Sequence, residues 1–140
     1  EALIYYNDTY LKYKVRFKMT TSWVAKTPKN SSSDIHNHSN NFLSGVYYLQ
    51  APENCGNIEF RNLNGGQLQI PQVEESTIWN ANQFNFVPQP NVLLFFPSWA
   101  YHKILENKSG KDRLSIAFNF LPCSSFGEQD SQVDFSPLQY

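Results

Sequence analysis

Between residues 11 and 19, apolar and basic side chains alternate without a break. Leu11, Tyr13, Val15, Phe17 and Met19 stand against Lys12, Lys14, Arg16 and Lys18. Successive side chains of an extended chain point to opposite faces, so this spacing predicts a strand with one dry face and one wet face. A helix would scatter the same apolar positions around its circumference. Further strands are read at 43–50, 57–61, 67–70, 83–87, 92–97 and 113–120, with turn-forming Gly, Pro and Asn between them at 28–33, 52–56, 62–66, 88–91 and 107–112. Many short strands punctuated in this way predict an all-β sandwich or barrel with little helix. A weak helical signal covers the first ten residues. The expected organisation is a single domain over 1–140, with its core at about 11–120 and a polar tail at 121–140 that is extended over the surface or mobile.

Composition narrows the picture. The 140 residues suffice for one buried core, and 41% apolar with 16% aromatic residues describes a folded chain. A net charge of -1 shows neither a nucleic-acid footprint nor a polybasic membrane patch, and both partners are discounted. The longest apolar run, 92–96, is closed by Pro97 and falls far short of the roughly 20 residues a membrane helix needs. No leader pattern is read at the start, although the chain opens at Glu1 without a Met. Cys55 and Cys123 are too few for a disulfide framework and lack the paired spacing of a zinc site. They are read as free thiols in a reducing, cytoplasmic setting.

Candidate chemistry gathers at the histidines. In extended chain the imidazoles of His36 and His38 point the same way and could reach one ion, with Asp34 on the same face if the extended conformation reaches back that far. His102 follows the apolar strand at 92–96 after a short turn at 97–99. Each piece also has a plainer reading, since an isolated His-x-His beside Ser and Asn can simply sit in solvent. Arg113 and Ser115 open the last strong strand on one face. A guanidinium turned into an apolar barrel costs several kcal/mol unless an anion meets it, whereas a surface arginine at a strand start costs nothing. Read together, the order is more specific than any part: His-x-His, a Tyr-rich strand, a Gly-containing turn, an apolar strand ending in His, then Arg-x-Ser eleven residues on.

With that order in place, the chain resembles the 2-oxoglutarate/Fe(II) oxygenases, and more narrowly an oxygenase group of marine bacteria and their phages. The likeness is carried by Ser22-Trp23, His36-Asn37-His38-Ser39-Asn40, Leu43-Ser44-Gly45-Val46-Tyr47-Tyr48-Leu49, Gly56-Asn57-Ile58-Glu59-Phe60, Leu94-Phe95-Phe96-Pro97-Ser98-Trp99 and Arg113-Leu114-Ser115-Ile116-Ala117-Phe118-Asn119. It implies a double-stranded β-helix, a jelly-roll or cupin-like barrel with iron at one mouth. It also implies Fe(II), 2-oxoglutarate as co-substrate and O2, with hydroxylation of a small molecule or peptide side chain as the default outcome. The metal ligands then fall on His36, His38 and His102. Arg113 and Ser115 match the pair that holds the distal carboxylate of 2-oxoglutarate, and Tyr48 matches a tyrosine of prolyl hydroxylases that also reaches it.

One departure matters. The family pattern is His-x-Asp or His-x-Glu, and here His38 stands at the carboxylate position. Three neutral histidines are one solution; His38 and His102 with water or Asp34 are another. Trp23 and Trp99 lie near the proposed ligands and are expected to pack rather than to touch substrate. Two other functions stay open at this level: a non-catalytic jelly-roll binding or phage structural module, and a three-histidine iron dioxygenase that does not use 2-oxoglutarate.

Overall fold

The alternation along the chain resolves into antiparallel sheets in a computed structural model, which describes residues 1–62, 74–75, 77 and 81–134. In chain order the strands are β1 (Phe17–Thr27), β2 (Leu43–Gln50), β3 (Ile58–Arg61), β4 (Gln83–Phe86), β5 (Leu93–Pro97), β6 (Tyr101–Ile104) and β7 (Arg113–Pro122). One sheet has the order β1-β7-β2-β5 and the other β4-β3-β6. The non-consecutive neighbours are those of a jelly-roll barrel, in which strands cross between two facing sheets. Ahead of them, α1 (Ala2–Tyr6) continues into a π-helical turn, Asn7–Leu11, where the helical signal is weak. Tyr6 stacks on Phe95 with ring centroids 5.1 Å apart, which seats this helix on the first sheet.

Five expected strands stand within two residues of their predicted ends, and the one at 67–70 lies outside the described residues. Two expectations need correction. The strand read over 11–19 begins only at Phe17 and runs to Thr27, because Lys12 turns into the left-handed region at φ 59 and ends the helical segment there. Tyr13 still serves the core, edge-on to Phe17 and Phe42, but from a loop. The second correction is β6. Its four residues are too few to show a period, so His102 looked like the end of a turn; it lies within a strand.

A bulge at Thr20 sets up the interior. The register passes from Met19↔Phe120 to Thr21↔Asn119, and the extra residue changes which face the odd-numbered side chains occupy. Beyond it, inward-facing residues of the first sheet form cross-strand rows. Thr21, Asn119, Ser44 and Phe96 make one row; Trp23, Ala117, Val46 and Leu94 the next; Ala25, Ser115 and Tyr48 the third; Thr27 and Arg113 the last. Rows on one face are about 7 Å apart. The most deeply buried side chains among the described residues are Arg113, Tyr48, Asn107, Ser44 and Ser98. Polar groups at such depth are retained only where partners or ligands satisfy them.

Candidate functional site

The segment before β2 is stitched along β6. His36 and His102 exchange both backbone hydrogen bonds at 2.9 Å, Ser33 N–H donates to the Ile104 carbonyl at 3.0 Å, and His38 N–H donates to the Ser98 carbonyl at 2.9 Å. Residues paired directly across an antiparallel ladder share a face, and so do residues two apart, so three imidazoles converge. Their ring centroids lie 4.5 Å (His36–His102), 5.0 Å (His38–His102) and 5.5 Å (His36–His38) apart. One ligand atom from each falls within 4.8 Å of the other two.

Each ring has its Nδ1 engaged. His36 Nδ1 faces the Asp34 carbonyl at 2.8 Å and His102 Nδ1 the Ala100 carbonyl at 2.9 Å. A carbonyl only accepts, so in both rings Nδ1 carries the proton and Nε2 keeps a free lone pair. His38 Nδ1 lies 2.8 Å from both Asn119 Oδ1 and Ser44 Oγ. Asn119 spends its amide N–H on Thr21 Oγ1 at 3.0 Å, which leaves Oδ1 to accept. Ser44 Oγ, 2.7 Å from Asn119 Oδ1 and 2.8 Å from Ser98 Oγ, completes a buried network behind His38. Burial holds the His102 pKa down to about 4, aided by the two other imidazoles and opposed by the bond to Ala100; burial lowers that of His38 as well, opposed by Asn119 and aided by His36. Near neutral pH these two rings are therefore uncharged, each with one proton on Nδ1. Three imidazoles with orienting partners on their far nitrogens suit a divalent transition metal such as iron.

Asp34 takes no part through its carboxylate. Its side chain is exposed and its backbone carbonyl serves His36; among the described residues no carboxylate belongs to the cluster. The expectation that Asp34 shares the ligand face is corrected accordingly, because the carbonyl rather than the side chain turns toward the histidines.

Three rows from the one behind His38, Arg113 is 2% exposed. Its Nη1 donates to the Gly56 carbonyl at 3.2 Å and its Nη2 to Thr27 Oγ1 at 3.1 Å, while Nε is buried without a partner. Among the described residues no carboxylate pairs with it. The guanidinium carbon lies 5.9 Å from the centre of the Tyr48 ring, and Ser115 pairs with Tyr48 across the sheet, both fully buried. Burial raises the Tyr48 pKa to about 12 and lowers that of Arg113. A buried cation with an idle N–H and two hydroxyl-bearing neighbours has the chemistry to receive an anion. Between the Ser115–Tyr48 row and the one behind His38 lies the row of Ala117, whose single methyl is the smallest side chain in it.

Several contributors were not singled out in the sequence. Ser44, Ser98, Thr27 and Gly56 act through contacts that span 54 to 86 residues of chain. Asn119 left one signal, its alternate-face parity with Arg113 and Ser115. Nor do the two tryptophans pack as expected. Trp23, 42% exposed, stands edge-on to His38 at 6.0 Å, and Trp99 is 65% exposed beside a surface cavity.

Comparison with known proteins agrees with this geometry. The family described as "Putative 2OG-Fe(II) oxygenase" matches residues 21–119. No curated protein matches the sequence. Among solved structures, a 2OG-Fe(II) oxygenase family oxidoreductase from Burkholderia pseudomallei superposes with a TM-score of 0.65 at 11% identity, covering 84% of this chain and 50% of that one. A Pseudomonas putida prolyl-4-hydroxylase gives a TM-score of 0.55 at 19% identity over 84% of this chain and 59% of its own. The nickel complex of a non-heme monooxygenase, ThoJ, gives 0.56 at 12% identity over 85% and 51%. At these identities the likeness carries the fold alone, and the chain spans only 50% to 59% of the length of those structures. Neither comparison bears on the marine or phage source expected from the sequence. No helix among the described residues is long and apolar enough to cross a membrane.

Proposed function

Since the chain belongs to the 2OG-Fe(II) oxygenase family, we propose that it is an Fe(II)- and 2-oxoglutarate-dependent oxygenase that hydroxylates a small molecule or a peptide side chain. His36, His38 and His102 would hold the metal, and Arg113, Ser115 and Tyr48 would hold the far carboxylate of 2-oxoglutarate. The observation that carries this reading is the pairing of the two ends: three converging imidazoles at one, and at the other a buried arginine that no carboxylate among the described residues meets.

When bound, iron and 2-oxoglutarate would supply the oxidising power to place one oxygen atom of O2 into a substrate C–H bond, the other leaving in succinate as CO2 is released. The protein's part is positional. Carbonyls at Asp34 and Ala100 and the Asn119 amide oxygen accept from the Nδ1 side of the rings, which leaves each Nε2 as the ligand atom on offer. Arg113 supplies a fixed, desolvated positive charge for the distal carboxylate, and the Tyr48 hydroxyl stays protonated and able to donate. With no carboxylate among the three candidate ligands, a dianionic co-substrate would supply the charge to neutralise the ion.

Anaerobic titration of the Fe(II)-loaded protein with 2-oxoglutarate tests this directly. A weak visible metal-to-ligand charge-transfer band is expected. The all-imidazole donor set favours one rival, a three-histidine dioxygenase that does not use 2-oxoglutarate. Metal binding without the band would select that rival, although it leaves Arg113 without a purpose. Failure to bind either would leave a non-catalytic barrel.

A further inference from the structure

Across the second sheet, one row runs outward from the metal site. His36 pairs with His102, His102 with Phe60, and Phe60 with Phe84, so four side chains lie in register on neighbouring strands and segments. The Phe60 ring is 5.6 Å from that of His102. Strands are spaced just under 5 Å apart, which places Phe84 roughly 10 Å from His102 on the same wall. Phe84 is nonetheless 56% exposed, as Trp99 is at 65%. The two rings and Phe60 border a cavity of about 390 Å³, together with Arg61, Asn82 and Gln83. A concave aromatic surface left open to water beside a reactive centre is a ligand site in search of an apolar occupant. The volume suits a small molecule.

Charge sharpens the assignment. None of the residues lining the cavity is acidic. Behind its wall, the buried Glu59 carboxylate is shared by Arg61 at 2.6 Å and Lys103 at 3.6 Å, so one negative charge faces two positive ones. Arg61 reaches the cavity, and the surplus positive charge favours an anionic visitor.

We propose, building on the oxygenase reading above, that the primary substrate is a small ring-bearing acid: a flat aromatic or alicyclic ring held by Phe60, Phe84 and Trp99, with its carboxylate or equivalent anion toward Arg61. Phe84 and Trp99 are then specificity-determining residues, separate from the metal and co-substrate ligands.

The test is calorimetric titration of the protein loaded anaerobically with Fe(II) and 2-oxoglutarate. Phenylacetate and cyclohexanecarboxylate serve as ring acids, phenylacetamide as the neutral ring, hexanoate as the ringless acid, and a short phenylalanine-containing peptide as the polymer-borne ring. Ring acids are expected to bind, with the neutral and ringless compounds about tenfold weaker or worse. Phe84→Ala and Trp99→Ala should each weaken the ring acids about tenfold, the loss of one aromatic contact, while 2-oxoglutarate affinity stays unchanged. Equal binding by phenylacetamide, preference for the peptide, or no binding of ring acids while 2-oxoglutarate still binds would each overturn the substrate assignment and leave the oxygenase reading standing. Loss of 2-oxoglutarate binding itself would remove the reading beneath it.

Discussion

Arg113 carries more of the functional argument than any other side chain. It is buried, its Nε is idle, and nothing among the described residues neutralises it. Replacing it should therefore separate co-substrate from metal. Arg113→Met is expected to reduce 2-oxoglutarate affinity by roughly two to three orders of magnitude, the scale of a desolvated charge-assisted contact, with iron content unchanged by metal analysis. The variant should also be no less stable than the parent on heating, since an apolar group of similar length removes an unsatisfied buried cation. A second residue-level prediction concerns the far side of His38. Ser44→Ala and Asn119→Ala should each lower iron affinity about 10- to 100-fold by loosening the ring, without changing the count of imidazole ligands; a chelator competition assay reads the difference. The candidate ligands themselves were legible because His-x-His and Arg-x-Ser are local, and period two says which residues share a face. Their partners were not, because Ser44 meets Ser98, and Arg113 meets Thr27, only after the sheets have formed.

Elements hold these residues through two turns. Gly56 sits at φ +87, and a Cβ there would come within 2.0 Å of the Leu105 carbonyl oxygen, while its own carbonyl accepts from Arg113. Gly56→Ala is expected to cost on the order of 3 kcal/mol, strain and displacement together, and to weaken 2-oxoglutarate binding because the Arg113 acceptor moves; denaturant unfolding and titration measure the two losses. Asn107 is fully buried and ties 27–31 to 107–111: its amide donates to the Thr27 and Lys111 carbonyls, and its Oδ1 accepts from Ser109. Asn107→Ala should cost about 1 to 3 kcal/mol, measured the same way. At this scale the strands with clear alternation and flanking turn residues were readable. The strand anticipated at 11–19 was not, because apolar residues in a loop serve the core as well as those in a ladder, and Tyr13 does so. β6 escaped because four residues carry no period.

For the whole molecule, acid sensitivity follows from the depressed histidines. In the metal-free protein, His102 is held down to about 4 against an ordinary value of 6.5. As pH falls below 6.5 the unfolded chain takes up a proton that the folded one refuses, so stability declines between pH 6.5 and 4, by roughly 3 kcal/mol at most for this group. The metal-free protein should lose melting temperature through that window, and His102→Gln should flatten the decline; an equal decline in the variant would place the sensitivity elsewhere. Iron-loaded protein should resist until protons compete the metal away.

The metal ligands are not rooted in one sheet. His36 and His102 belong to the ladder of the second sheet, whereas His38 is braced by Ser44 and Asn119 of the first. An ion at their centre would therefore be a rivet through both walls of the barrel, and would stabilise the folded protein by about 2.7 kcal/mol when free metal stands at a hundred times its dissociation constant. Iron starvation would then do more than idle the protein: with the rivet withdrawn the walls part more often, proteases gain entry, and the amount of protein in a cell becomes a record of its iron supply.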